Sequence, residues 1–113
     1  MILRFFGASA QQVQKVGAWW RENRPSAPDL FADELEWALQ MLTSAPELGA
    51  VYGPGAAGGV RRVLLPKTQY YLYYAVDRDR GLIGIIALWS CHRGRGPRLS
   101  SFKGLPGANK PAR

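Results

Sequence analysis

The chain has 113 residues, 47% of them apolar and 12% aromatic, which suits a single globular domain and excludes a disordered polymer. Fifteen Lys and Arg stand against eight Asp and Glu, a formal charge of +7, so acidic or polyanionic partners are favoured. One cysteine, Cys91, and one histidine, His92, exclude a disulfide framework, a thiolate zinc site and multi-histidine metal chemistry.

The charge is unevenly divided. Residues 1–60 carry a net −2 and residues 61–113 a net +9, so the basic character belongs to the second half. No apolar run approaches the ~18 residues that span a bilayer. Residues 1–7 lack the charged-then-apolar order of a secretion signal. The expectation is a soluble, cytoplasmic protein with no metal, cofactor or membrane partner.

In chain order, Ile2–Phe6 reads as a short first strand. Ser9 is placed to cap a helix from Ala10, on which Val13, Val16 or Gly17, and Trp20 recur at helical spacing. Arg24-Pro25 ends it, because the residue before proline is pushed out of the α region. Ser26-Ala-Pro-Asp29 resembles a capping box opening a second helix. Along that helix Phe31, Leu35, Ala38 and Leu42 form one stripe, with Trp37 and Met41 widening one shoulder, and Pro46 stops it. So short a link between helices makes an αα-hairpin.

Residues 49–52 suit a brief strand. The glycine-rich run 53–59 lacks the Lys-Ser/Thr ending of a phosphate cradle, and no helix follows, so it reads as a hairpin connection. Val60–Leu65, Tyr70–Val76 and Leu82–Trp89 read as three strands with connectors of hairpin length. Alternation sets Arg61, Val63 and Leu65 on one face and Val60, Arg62 and Leu64 on the other; either arginine can pair with Asp33 or Glu36. In the last strand alternation groups Ile83, Ile85, Ala87 and Trp89 against Leu82, Gly84, Ile86 and Leu88. Tyr70–Val76, apolar on both faces, suits a central strand. A single domain over residues 1–93 is expected, followed by a basic Gly/Pro-rich tail, 94–113, with little to bury. The expected fold is α+β: an N-terminal strand and an αα-hairpin packed on a twisted antiparallel sheet of three to four strands.

The segments Ala10–Trp20 and Leu30–Leu39, then Val60–Leu65, Tyr73–Val76 and Ile85–Trp89, occur in an order that resembles the RelE/ParE superfamily of toxins. These belong to bacterial type II, or plasmid-stabilisation, toxin–antitoxin modules, and the resemblance covers roughly residues 2–99. It implies two N-terminal helices on a twisted sheet and a cognate antitoxin, ParD-like or similar, that wraps the toxin. It also implies one of two mechanisms: RelE-like members are ribosome-dependent mRNA endonucleases, and ParE-like members poison DNA gyrase. For the nuclease, the matching residues are Arg61 or Arg62, Arg93, and His92 as acid or base. Between Glu47 and Gly59 there is no Lys or Arg, and no tyrosine follows Tyr74, where RelE-like enzymes place theirs. The resemblance is therefore closer to the ParE branch, whose gyrase inhibition needs a docking surface and no proton transfer.

Arg93, Arg95 and Arg98 are the target-binding candidates on that reading. Trp19, Trp20 and Trp37, with Arg61 and Arg62, are the antitoxin-binding candidates. Adjacent helical residues point about 100° apart, so at least one of Trp19 and Trp20 is expected near the surface. The arginines would meet antitoxin carboxylates. An inactive, basic nucleic-acid-binding module is the reading outside both mechanisms.

Overall fold

The first strand does not stand apart from the sheet: it lies in it. In a computed structural model that describes residues 1–52, 59–99 and 104–106, the order is β1 (Ile2–Phe5), α1 (Ser9–Asn23), α2 (Leu30–Ser44), β2 (Ala50–Val51), β3 (Arg61–Leu65), β4 (Tyr70–Asp77) and β5 (Leu82–Ser90). Residues 53–58 of the expected hairpin connection lie outside the described residues. The five strands form one mixed sheet in the order β1-β5-β4-β3-β2. β1 runs parallel to β5, with Ile2 opposite Leu82, and every other pairing is antiparallel. The α+β architecture holds, and the sheet gains its fifth strand from the N-terminus.

One face of the sheet carries both helices. The α2 stripe of Phe31, Leu35, Ala38 and Leu42 is buried against Leu65, Leu72, Tyr74, Ile83, Ile85 and Leu88. Val13, Val16 and Trp20 of α1 add partly buried side chains to the same cluster. This is the apolar periodicity of the sequence realised as a core. Trp37 and Met41 do not widen that stripe. Both are exposed, since they lie well to one side of the buried centre of α2.

Two helix starts differ from expectation. Ser9 is the first helical residue and caps nothing. It is buried, its hydroxyl donating to the Phe6 carbonyl (2.7 Å) and lying 3.0 Å from that of Ile85, which joins the β1–α1 turn to β5. Ser26 lies inside the turn closed by the Ala27 amide on the Arg24 carbonyl, and α2 begins at Leu30 with Asp29 at its N-cap and no side-chain cap. The α2 position is held instead by Glu34, whose buried carboxylate accepts from the Lys67 and Thr68 amides and the Thr68 hydroxyl at 2.6–2.9 Å. A buried carboxylate is tolerated when donors satisfy it.

β5 departs from simple alternation. Tyr73 lies opposite Ala87 and Tyr74 opposite Ile85, so Ile86 is an extra residue in a bulge. Ile83, Ile85 and Leu88 therefore face the helices, while Ala87 and Trp89 turn to the opposite face. That helix-free face is covered in part by the tail. Leu105 is buried with Ala75 and Leu82, Leu99 packs on Val60 and Tyr73, and Pro97 is buried. The tail thus has more to bury than its composition suggests. Arg80 fastens it, paired with Asp77 at 2.7 Å and donating to the Pro106 and Leu105 carbonyls. The Arg80 hydrogen bond holds the Asp77 carboxyl below its usual range.

Candidate functional site

Alternation along β3 sends its two arginines to opposite sides. Arg61 faces the helices, where its guanidinium donates to the Gly49 carbonyl (2.7 Å) and reaches that of Glu47 (3.4 Å). It closes the link between α2 and β2 and pairs with neither Asp33 nor Glu36. Tyr74 completes this link from β4: its hydroxyl accepts from the Gly49 amide and donates to the Pro46 carbonyl, both at 2.8 Å. The approach is close enough that a Cβ at Gly49 would sit 2.6 Å from the Arg62 carbonyl oxygen, so only glycine fits. Burial pushes the Tyr74 phenol up, opposed by the Gly49 amide and the Arg61 charge.

Arg62 points to the helix-free face, into a group of aromatic rings. Its Cζ lies 3.9 Å from the Tyr71 ring centre and 5.4 Å from that of Tyr52. Its Nη1 donates to the Tyr73 hydroxyl at 3.3 Å. That hydrogen bond raises the Arg62 pKa further, against the opposing effect of burial. Burial pushes the Tyr73 phenol up, and Arg62 opposes it. Tyr52 and Tyr73 meet edge to face at 4.7 Å, and the Tyr52 hydroxyl donates to the Pro97 carbonyl of the tail.

Trp89 continues this surface on β5, directly opposite Tyr71. Arg93 lies over it with Cζ 4.1 Å from the ring centre, and the indole N–H donates to the Arg95 carbonyl at 2.6 Å. A guanidinium over an aromatic face is attracted by the ring quadrupole, which orders an otherwise free side chain. Cys91 is half-buried; burial pushes its thiol up and the nearby Arg62 charge opposes this. A thiol held protonated is a poor nucleophile.

The proposed nuclease set is therefore divided. Arg62 and Arg93 share a face, Arg61 is on the other, and His92 sits on the exposed turn after β5. Among the described residues the His92 side chain makes no hydrogen bond; only its amide does, to the Ser90 hydroxyl. Arg95 and Arg98 are exposed in the following segment. Among the described residues no cluster of His, Cys, Asp and Glu could hold a metal ion, and no helix is long and apolar enough to cross a membrane.

The three helical tryptophans are not equivalent. Trp19 and Trp37 are 45% and 53% exposed, and Trp20 is half-buried with a buried indole N–H that has no partner among the described residues. Trp19 and Trp20 meet edge to face at 5.9 Å, and Arg24 lies over both rings. The sequence reading overlooked Arg24 here, and Tyr52, Tyr71, Tyr73 and Trp89 around Arg62 and Arg93. Their signal was an Arg–Tyr–Trp triplet on three adjacent strands, visible only once the register is known.

The family model for the ParE toxin of the type II toxin–antitoxin system, parDE, matches residues 4–94. Among solved structures the fold is similar to the isolated E. coli RelE toxin, with 17% identity, a TM-score of 0.55, and coverage of 82% of this chain and 86% of that one. It is similar also to the intact E. coli RelBE toxin–antitoxin complex, with 17% identity, a TM-score of 0.56, and coverage of 81% and 98%. No curated protein matches the chain. Two helices on one face of a five-stranded sheet, with a family match over four-fifths of the length, place the chain in the ParE toxin family of type II toxin–antitoxin systems.

Proposed function

We propose that this toxin arrests growth by docking on DNA gyrase and poisoning it, and that a ParD-like antitoxin neutralises it. The observation that carries this reading is the division of its cations. Metal-free RNA cleavage needs a base, an acid and cationic donors converging on one phosphate. Here Arg61 is engaged by the Gly49 carbonyl on the face opposite Arg62, and the sole histidine projects from an exposed turn. Docking asks only for a complementary surface, and the match is to the ParE family. An antitoxin partner is supported by the similarity to E. coli RelE, which has been solved in complex with its antitoxin. Exposed Trp19 and Trp37 offer that antitoxin apolar anchors on the helical hairpin.

A gyrase supercoiling assay with the purified chain tests the reading. Inhibition at near-stoichiometric toxin is expected, and unchanged supercoiling at large excess overturns it. The ribosome-dependent endonuclease is the second reading, favoured by Arg62 and Arg93 sharing one face. It predicts cuts in translated mRNA, seen by toeprinting, that vanish in His92→Ala or Arg93→Ala.

A further inference from the structure

We propose that the helix-free face of the sheet, at Arg62 and Arg93, is a contact for the phosphodiester backbone of DNA. The inference rests on the gyrase reading for the source of that DNA, though the contact itself can be measured without gyrase.

Tyr71 and Trp89 are cross-strand partners, so their rings are neighbours on one surface. Each ring holds one guanidinium, Arg62 at 3.9 Å and Arg93 at 4.1 Å. Stacking occupies the flat face of a guanidinium and leaves its N–H edge for anionic oxygens. Among the described residues the Arg62 guanidinium makes one hydrogen bond, to the Tyr73 hydroxyl, and that of Arg93 makes none. Among the described residues neither has a carboxylate partner; the ion pairs there are Arg78–Glu47 and Arg80–Asp77. A hollow of about 460 Å³ beside Arg93 is lined by Trp89, Gly94 and Arg95, and exposed Arg98 follows in the chain.

The distribution of apolar surface separates nucleic acid from a peptide as occupant. Large exposed apolar side chains lie on the helices (Trp19, Trp37, Met41), at the N-terminus and β1 (Met1, Ile2, Phe5), and on β2 and the link before it (Val51, Leu48). On β3, β4 and β5 the one such residue turned to the helix-free face is Leu64. A protein partner, which needs buried apolar anchors, finds them elsewhere. The face around Arg62 and Arg93 offers pre-ordered cations and hydroxyl groups, the donors that bind phosphate without reading a base.

The test is fluorescence anisotropy of the purified chain with a labelled DNA duplex of about 20 base pairs, over a salt series from about 50 to 200 mM. Arg62→Gln/Arg93→Gln is expected to weaken binding at low salt by about tenfold or more. It is also expected to flatten the plot of log K against log salt by about 2, near one unit for each lost phosphate contact. Arg93→Gln alone, an exposed and fold-neutral change, should flatten it by about 1. Lys15→Gln, which removes one charge from α1, should change affinity by less than about twofold. The proposal is overturned if the chain binds no DNA at about 50 mM salt, or if the double variant binds like the native chain. Tighter binding to duplex RNA of the same sequence, or to a glutamate-rich peptide, also overturns it. DNA binding that follows the expected pattern beside unaffected supercoiling upholds the contact and rejects gyrase as the target.

Discussion

On one face of the sheet, two helices bury a continuous apolar stripe, and among the described residues every buried side-chain polar atom there but the Trp20 indole N–H is satisfied within the chain. Glu34 is met by Lys67 and Thr68, Ser9 by Phe6 and Ile85, and Tyr74 by Gly49 and Pro46. On the other face, the same strands present Arg62, Tyr71, Tyr73 and Trp89, joined by Arg93 and covered in part by the tail. The first face spends its chemistry internally. The second keeps cationic donors turned outward, held in place by rings and not by carboxylates. Strand alternation, one residue apart, thus sends Arg61 into the helical side and Arg62 to the face that carries the proposed contact.

The sharpest way to break this contrast is to empty the helical face. Leu42 is fully buried, so Leu42→Ala should cost about 2–5 kcal/mol in urea unfolding. Arg93→Ala, on an exposed cation over a ring, should cost less than about 1 kcal/mol. Equal costs would show that both faces carry the fold alike.

Tyr74→Phe comes next, at about 1–3 kcal/mol near neutral pH, because the Gly49 amide loses its partner in a buried site. It also carries a pH signature. Burial favours the neutral phenols of Tyr73 and Tyr74 in the folded state, so their folded pKa values stand above the unfolded one. Their contribution is fully present below the unfolded value, about 10, and is lost as pH rises through the raised folded values. Unfolding midpoints measured across that range should fall less steeply in Tyr74→Phe than in the native chain. An unchanged slope would remove Tyr74 from the account.

A smaller effect than that of Tyr74→Phe concerns the tail. A Cβ at Gly84 would collide with the Leu105 methyl groups and touch Phe6 at 3.0 Å. Since the methyls end a movable side chain, Gly84→Ala should cost only about 1 kcal/mol, the low end for overpacking. Combining it with Leu105→Ala should relieve part of that cost in a double-mutant cycle. Strict additivity would mean that the tail does not rest on Gly84.

Much of this was legible in the residues. The stripe of Phe31, Leu35, Ala38 and Leu42 lies within four helical turns, so periodicity alone marks the buried side of α2. The opposite orientations of Arg61 and Arg62 follow from the two-residue period of a strand, and both were readable before any contact was known. The −2 and +9 halves needed only counting. Trp37 and Met41, expected to widen that stripe, lie about 90° or more around the helix from its centre and stay exposed.

Other features lay beyond any local rule. The parallel pairing of β1 with β5 joins residues about 80 apart, and no pattern within Ile2–Phe5 specifies a direction. The bulge at Ile86 exists because Tyr73 and Tyr74 span three residues of the facing strand. That one extra residue reverses the alternation after Ile85, moving Trp89 away from the helices and onto the face of Arg62. The sequence by itself determined most of the elements, the buried stripe of α2 and where the charge lies along the chain. Tertiary register alone decided which rings and cations meet, because a side chain's face depends on every residue counted between it and its cross-strand partner.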